Sequence, residues 1–231
     1  MNIAHIFLID LSPIWLTLKL AGITTFILLL VGLPAAWWLS KGRSFFKIII
    51  EAVITMPLVL PPSVLGFYLL LAFSPQNGFG KWLQNTFDVQ LVFSFEGLVL
   101  ASVIYSMPFM IGPVKSALQQ LPVSLSQASY TLGKSKWQTF VKVLLPNIKP
   151  SLLTATVLTF AHTLGEFGVV LMIGGNIPNT TRVASIAVYD AVEQMDYASA
   201  GNYSLILLCI TFVMVSSVFI YNRYQAKSPL E

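Results

Sequence analysis

Long runs without a charged residue dominate the chain. Leu20 to Ser40, Ala52 to Gly80 and Tyr197 to Asn222 contain no Asp, Glu, Lys or Arg, and Gly97 to Val114 is shorter but uninterrupted. A Lys or Asp at the bilayer centre costs about 2.5 to 3.5 kcal/mol on insertion scales, and about 20 helical residues cross the hydrocarbon, so each run predicts a spanning helix. A fifth run, Pro150 to Ile173, is apolar enough to span but carries Glu166, with His162 one turn earlier. The expected spans are about 14–39, 48–73, 96–114, 150–173 and 199–222, between an external stretch 1–12 and a cytoplasmic tail 223–231.

Composition agrees with the pattern. Of 231 residues, 56% are hydrophobic and 10% charged, whereas soluble domains are nearer a quarter charged. Most of the surface must therefore meet lipid, which predicts an all-α polytopic membrane protein and excludes a disordered chain and most soluble enzymes. The single cysteine, Cys209, excludes an internal disulfide framework. Met1 to Ser12 has no basic segment of the signal-peptide kind, so the first span is expected to remain as a helix.

Loop charges set the orientation. Lys41, Arg43, Lys47, Lys115, Lys134, Lys136, Lys142, Lys149, Arg223 and Lys227 fall in alternate loops and the tail, which predicts that these face the cytoplasm. The opposite loops hold only Lys81 and Arg182, while Lys19 can snorkel from the outer end of the first span. The N-terminus is then outside and the C-terminus inside. This bias accounts for the net charge of +4 without a nucleic-acid partner.

The long cytoplasmic loop, 115–149, reads as two short helices. Pro122 and Ser124 open the first, with Ser124 as the expected N-cap, and Leu125, Ala128 and Leu132 form one apolar stripe. Gly133 closes it through a left-handed cap. Ser135 caps a second stretch with Trp137, Phe140, Val141 and Leu144 on one face, which Pro146 is expected to end. Such a pair can lie along the membrane interface or plug into a partner.

Gln127-Ala128-Ser129, three residues, Gly133, nine residues and Val143-Leu144-Leu145-Pro146 together resemble the EAA motif of binding-protein-dependent ABC importer permeases. Gln127 stands where Glu is usual in that pattern, and Ser129 where Ala is usual. The resemblance implies a type I ABC importer permease core of about five transmembrane helices. It also implies a cytoplasmic coupling helix, with Gln127, Ala128, Ser129, Leu132, Gly133, Lys134 and Pro146 meeting a separate ATPase subunit. Ala128 to Ser135 also satisfies a relaxed nucleotide-loop pattern, but a phosphate loop follows a buried strand and is glycine-rich. The chain has no room for an ATPase domain, so no catalytic residue, metal or cofactor is expected here, and ATP and Mg²⁺ belong to the partner.

Within the membrane, Pro57, Pro61 and Pro62 obstruct regular helix in the second span, and Met107-Pro108 repeats the theme in the third. Broken backbone at that depth is either a packing kink or part of a pathway that opens and closes. His162 and Glu166 lie four residues apart on one helix face. An internal hydrogen bond between them is favoured over a proton relay or a metal pair, since two ligands do not make a metal site. Thr159 and Thr163, with Ser151, Thr154 and Thr156, put neutral hydroxyls on the same helix, the lining expected for an oxyanion that must not be trapped.

Leu164-Gly165-Glu166-Phe167-Gly168, then Gly175-Asn176-Ile177-Pro178, with the Met56 to Pro62 run, is similar to the molybdate and sulfate permease branch, which commonly has Arg at His162. With the loop motif, the similarity covers about Pro13 to Tyr221. It implies a homodimer with two cytoplasmic ATPase subunits and an external oxyanion-binding protein, in the inner membrane and its lipid, importing molybdate and possibly tungstate by alternating access. A sulfate-type permease is the nearest alternative. An ion-coupled transporter using His162 and Glu166 is the second. No Gly-x-Ser-x-Gly or His-Glu-x-x-His run supports an intramembrane hydrolase. The Asn179 and Asn202 glycosylation patterns read as chance.

Overall fold

The computed structural model describes residues 10–42 and 44–226, the last three by backbone alone. Twelve α-helices follow along these residues: α1 (Ser12–Ser40), α2 (Phe45–Thr55), α3 (Pro62–Phe73), α4 (Gly78–Phe87), α5 (Phe95–Gln120), α6 (Val123–Thr131), α7 (Lys136–Thr139), α8 (Leu145–Asn147), α9 (Lys149–Leu164), α10 (Gly168–Gly174), α11 (Ala184–Glu193) and α12 (Tyr197–Ala226). A 3₁₀ turn, Met56–Leu58, follows α2, and a π-helical turn, Phe140–Leu144, joins α7 to α8. Among the described residues, α1, α5 and α12 are the single helices long and apolar enough to cross a membrane.

Contacts between helices fix their directions. Leu16 and Leu20 share a buried cluster with Leu98 and Ala101, while Gly32 meets Met110 and Ile111, so α1 and α5 run parallel. The chain between two parallel spans must return across the membrane. It does so as α2, whose Ile50 and Ile54 pack near the Leu118 end of α5, and then α3, whose Leu65 and Leu69 pack in the Leu98 cluster. Helix α9 is antiparallel to α5, since Ala155 lies in the cluster of Val114 and Leu118 while His162 and Thr163 reach Ser106. Helix α12 runs with α1. Its Tyr203 hydroxyl donates to the Asp10 carbonyl at 2.8 Å, and Asn222 near its far end donates to Thr154 at 2.9 Å. Five crossings result, with Asp10 and Arg223 at opposite ends.

Two of those crossings differ from the expected continuous spans. The second is bent by 113° between α2 and α3, because Pro57, Pro61 and Pro62 cannot donate to the preceding turn. The fourth stops at Leu164, leaves Gly165 to Phe167 outside any helix, and resumes as α10. By contrast Pro108 and Pro113 leave α5 a single helix of 26 residues, extending six residues past the expected end at Val114. Packing against α1 on one side and α9 on another holds it. Helices α4 and α11, at the end of the molecule away from the α6–α7 segment, have no counterpart in the sequence expectation.

The broken halves pack closely. A Cβ on Gly66 of α3 would lie 2.8 Å from Cβ of Met172 and 3.0 Å from Cα of Val169, so only glycine allows this approach to α10. Gly22 of α1 has nothing within 4 Å of the same position. Gly66→Ala is expected to lower the stability of the detergent-solubilised protein by about 1 to 3 kcal/mol. Gly22→Ala should leave its thermal unfolding midpoint unchanged or slightly raised.

Candidate functional site

Two places gather the residues singled out by sequence. The first is the hairpin of α6 and α7 at the end where α1, α5 and α12 finish. Pro122, not Ser124, precedes the first helical residue, and Ser124 lies within α6 without a capping bond. At its other end α6 closes as expected. Gly133 takes φ +74°, its N–H donates to the Tyr130 carbonyl at 2.9 Å, and the Lys134 N–H donates to the Ser129 carbonyl at 3.1 Å. Those two bonds are the Schellman arrangement, which requires the left-handed residue. Ser135 then caps α7 in a capping box with Gln138.

The hairpin turns one face out. Gln127, Ala128, Leu132, Gly133, Lys134 and Pro146 are exposed, Leu132 at 77%. Ser129 is the exception. It is buried, with its hydroxyl 2.9 Å from that of Thr139, so it ties α6 to α7. Phe140 anchors the unit from beneath, stacked on Trp37 of α1 at 4.6 Å with Trp137 at its edge. The second helix also differs from expectation. Pro146 does not end it; lacking an N–H for the Lys142 carbonyl, it follows a π turn in which the Leu145 N–H reaches back to Phe140.

The second place is the break between α9 and α10. Pro62 and Ser63 at the start of α3, Tyr105 of α5, and Ala161, His162, Gly165, Glu166, Phe167 and Gly168 surround a cavity of about 640 Å³. Ser106, next to Tyr105, is the twelfth of the 26 residues of α5, so the cavity lies near mid-depth. Gly168 brings α10 against α3, since a Cβ there would meet Cβ of Pro62 at 2.9 Å. The expected bond between His162 and Glu166 is absent. His162 Nδ1 lies 3.1 Å from the Ser106 hydroxyl, and the ring stacks on Phe109 at 3.9 Å. Glu166 is 4% exposed, and neither carboxylate oxygen makes a hydrogen bond of standard geometry, although Ser102 sits beside it. Its carbonyl accepts from the Ser185 hydroxyl at 2.6 Å, which ties the break to α11.

The remaining candidates lie elsewhere. Pro57 and Pro61 flank the bend between α2 and α3 without lining the cavity. Thr159 and Thr163 are buried and donate to Ala155 and Thr159 carbonyls of their own helix. Gly175, Asn176 and Pro178 lie in the turn after α10, where Asn176 accepts from Arg182 Nε at 2.6 Å and Thr181 donates to the Gly174 carbonyl at 2.7 Å. Sequence inspection missed Ser63, Tyr105 and Ser106; no local motif marks them. Among the described residues no group of three or more His, Cys, Asp or Glu could hold a metal ion.

Ser106 joins His162 and Thr163, whose hydroxyl is 3.0 Å from its own. Ser106→Ala is expected to cost about 1 to 3 kcal/mol, because buried Thr163 and half-buried His162 each lose a bond, while Ser106→Thr restores part of it. Thermal unfolding of both variants checks this.

Residues 23–229 match the family described as binding-protein-dependent transport system inner membrane component. The molybdenum transport system permease protein ModB of Azotobacter vinelandii is 45% identical over 217 residues, covering 94% of this chain and 96% of the relative. ModB of Escherichia coli K12 is 34% identical, covering 89% and 91%, and the sulfate transport system permease protein CysT of the same strain is 33% identical, covering 81% and 67%. Among solved structures, the MetNI methionine ABC transporter in an inward-facing conformation matches with a TM-score of 0.73 at 18% identity, covering 97% of this chain and 99% of that one. A bacterial alginate ABC transporter matches at 0.74 and 17%, covering 98% and 83%. The fold is that of type I ABC importer permeases, and the chain belongs to the family of binding-protein-dependent transport system inner membrane components.

Proposed function

We propose that this chain is the membrane subunit of an ATP-driven importer that carries molybdate, and tungstate with it, across the inner membrane by alternating access. The 45% identity to ModB of Azotobacter vinelandii, with nearly full coverage of both chains, carries the choice of substrate. A sulfate-type permease is the second reading, supported by CysT relatives at 33 to 34% identity.

In this reading the chain acts as a homodimer, with a second copy covering the apolar face of α2 and α3, where Val53, Phe67 and Leu71 are exposed. Two ATPase subunits hold ATP and Mg²⁺ and receive the α6–α7 hairpin through Gln127, Ala128, Leu132, Gly133 and Lys134. An external binding protein delivers the anion at the opposite end. The N-terminus is outside and the C-terminus cytoplasmic, since Lys41, Lys47, Lys115, Lys134, Lys136, Lys142, Lys149 and Arg223 all lie at the hairpin end.

The chain's own part is mechanical. Capped at both ends of its turn and stacked on Trp37, the hairpin moves as one piece. Motion passes along α9 to the Gly165–Phe167 break. There the half-height helices α3 and α10 can separate from their partners without breaking the long spans. The hydroxyls of Ser63 and Tyr105 offer a passing oxyanion neutral donors, which bind it without trapping it.

The deciding experiment is uptake of radiolabelled molybdate into proteoliposomes containing the chain, its ATPase and its binding protein. Uptake should need all three proteins and ATP, and tungstate should compete while sulfate does not. Competition by sulfate would favour the second reading, and uptake driven by a proton gradient without ATP would overturn both. Leu132→Asp, on the exposed face, should lower transport-coupled ATP hydrolysis at least about tenfold without changing the unfolding midpoint of the isolated chain.

A further inference from the structure

At the end of α1 the chain turns back into α2 through a corner built of aromatic rings and ammonium groups. Trp37 and Trp38 occupy the last turn of α1, Phe45 and Phe46 open α2, and Trp137 of the hairpin packs against Trp37 with ring centroids 6.1 Å apart. Between them stand three lysines. Lys41 Nζ lies 3.6 Å above the Trp37 ring, and Lys47 Nζ lies 4.8 Å from the centre of the Trp38 ring. Lys47 is held there by the carbonyls of Trp38, at 2.5 Å, and Lys41. Lys136 adjoins Trp137 in sequence and is near enough to oppose the charge on Lys41.

Among the described residues no carboxylate forms an ion pair with these three lysines, although Glu51 borders the same pocket as Lys47. The ion pairs among the described residues are Lys115 with Glu51, which occupies the nearest acid on α2, and Arg182 with Asp190 at the other end of the molecule. Partial burial and the two neighbouring ammonium groups push Lys41 below the ordinary lysine pKa. An anion placed among these ammonium groups would relieve their mutual repulsion.

We propose that this corner binds the phosphate of an anionic glycerophospholipid, with Lys41, Lys47 and Lys136 as its cationic contacts. Depth selects the ligand. Tryptophan at the end of a span marks the interfacial layer, and Phe45 and Phe46, 77% and 63% exposed, present a surface suited to acyl chains rather than to a water-soluble protein. Since Lys136 belongs to the α6–α7 hairpin and Lys41 and Lys47 to the α1–α2 corner, one headgroup would bridge the hairpin to the membrane body. The proposal depends on the depth of the corner and not on the transported anion.

The test uses the full chain reconstituted with spin-labelled phosphatidylglycerol or phosphatidylcholine, reading the motionally restricted lipid fraction by electron paramagnetic resonance. The wild type should prefer phosphatidylglycerol by about fivefold or more. The preference should fall towards unity in the Lys41→Gln/Lys136→Gln variant and persist in Lys149→Gln, whose lysine lies outside the corner. Equal losses in the two variants would reduce the effect to general surface charge and overturn the site. A measurement on the wild type alone gives an independent check through acetylation of Lys41 and Lys136. Protection by phosphatidylglycerol but not phosphatidylcholine vesicles supports the proposal. Protection by the ATPase subunit instead would make the cluster a protein contact and overturn it.

Discussion

Backbone polarity in hydrocarbon is the constraint on which this structure turns. A peptide group that leaves a helix at mid-depth finds no water, so it must be covered by protein or open onto a polar space. The chain breaks two of its five crossings there, at Pro57 to Pro61 and at Gly165 to Phe167, and brings the breaks together. Gly168 against Pro62 and Gly66 against Met172 hold the halves at a distance only glycine permits. The cavity beside them puts Ser63, Tyr105, His162 and Glu166 next to the broken backbone. The long helices α1 and α5 stay whole and form the frame against which these half-height pieces rest.

The same constraint separates the two ends. At the hairpin end, charged loops lie outside the hydrocarbon and aromatic rings at its edge, so Trp37, Trp137 and Phe140 join a water-facing unit to a lipid-facing helix. At the other end, Thr181 and Arg182 close the turn after α10 through hydrogen bonds to Gly174 and Asn176. Lys19 rests over the Phe95 ring, its ammonium 4.5 Å from the ring centre.

What could be seen in sequence follows from the range of the interactions involved. Charge-free runs are local signals, and they matched the long apolar helices α1, α5 and α12. Gly133 and Ser135 were legible because caps act over three or four residues. Ser124 misled because Pro122 already turns the chain, leaving no free end for it to cap. The fate of His162 was not legible: its partner Ser106 is 56 residues away, and the nearer Glu166 lies beyond the end of α9, where the helical i, i+4 relation no longer holds. Ser129 sat in a surface motif yet turned inward, because its partner Thr139 comes from the next helix. Helices α4 and α11 escaped because they are short, mixed in polarity and outside the spans.

Helix α9 links the two candidate sites, and its length bears on how they communicate. Sixteen residues at 1.5 Å each give a rod of about 24 Å, enough to run from the hairpin end to mid-depth and no further. Its lower end continues directly into the Pro146 segment and the π turn, a junction bent by 82°, and its upper end is the break beside Glu166. A rod ending at mid-depth has a different mechanical effect from one that spans. Displacing its lower end shifts the Gly165–Phe167 junction relative to α5, whereas a continuous helix would carry the outer half along as well. The hydrogen bonds of Ser106 to His162 and Thr163 lie within one turn of that junction, so they resist its displacement. A discontinuity thus stands at each end of α9, so a displacement of this rod reaches α10 only through the Gly165–Phe167 junction, which the Ser185 contact ties to α11.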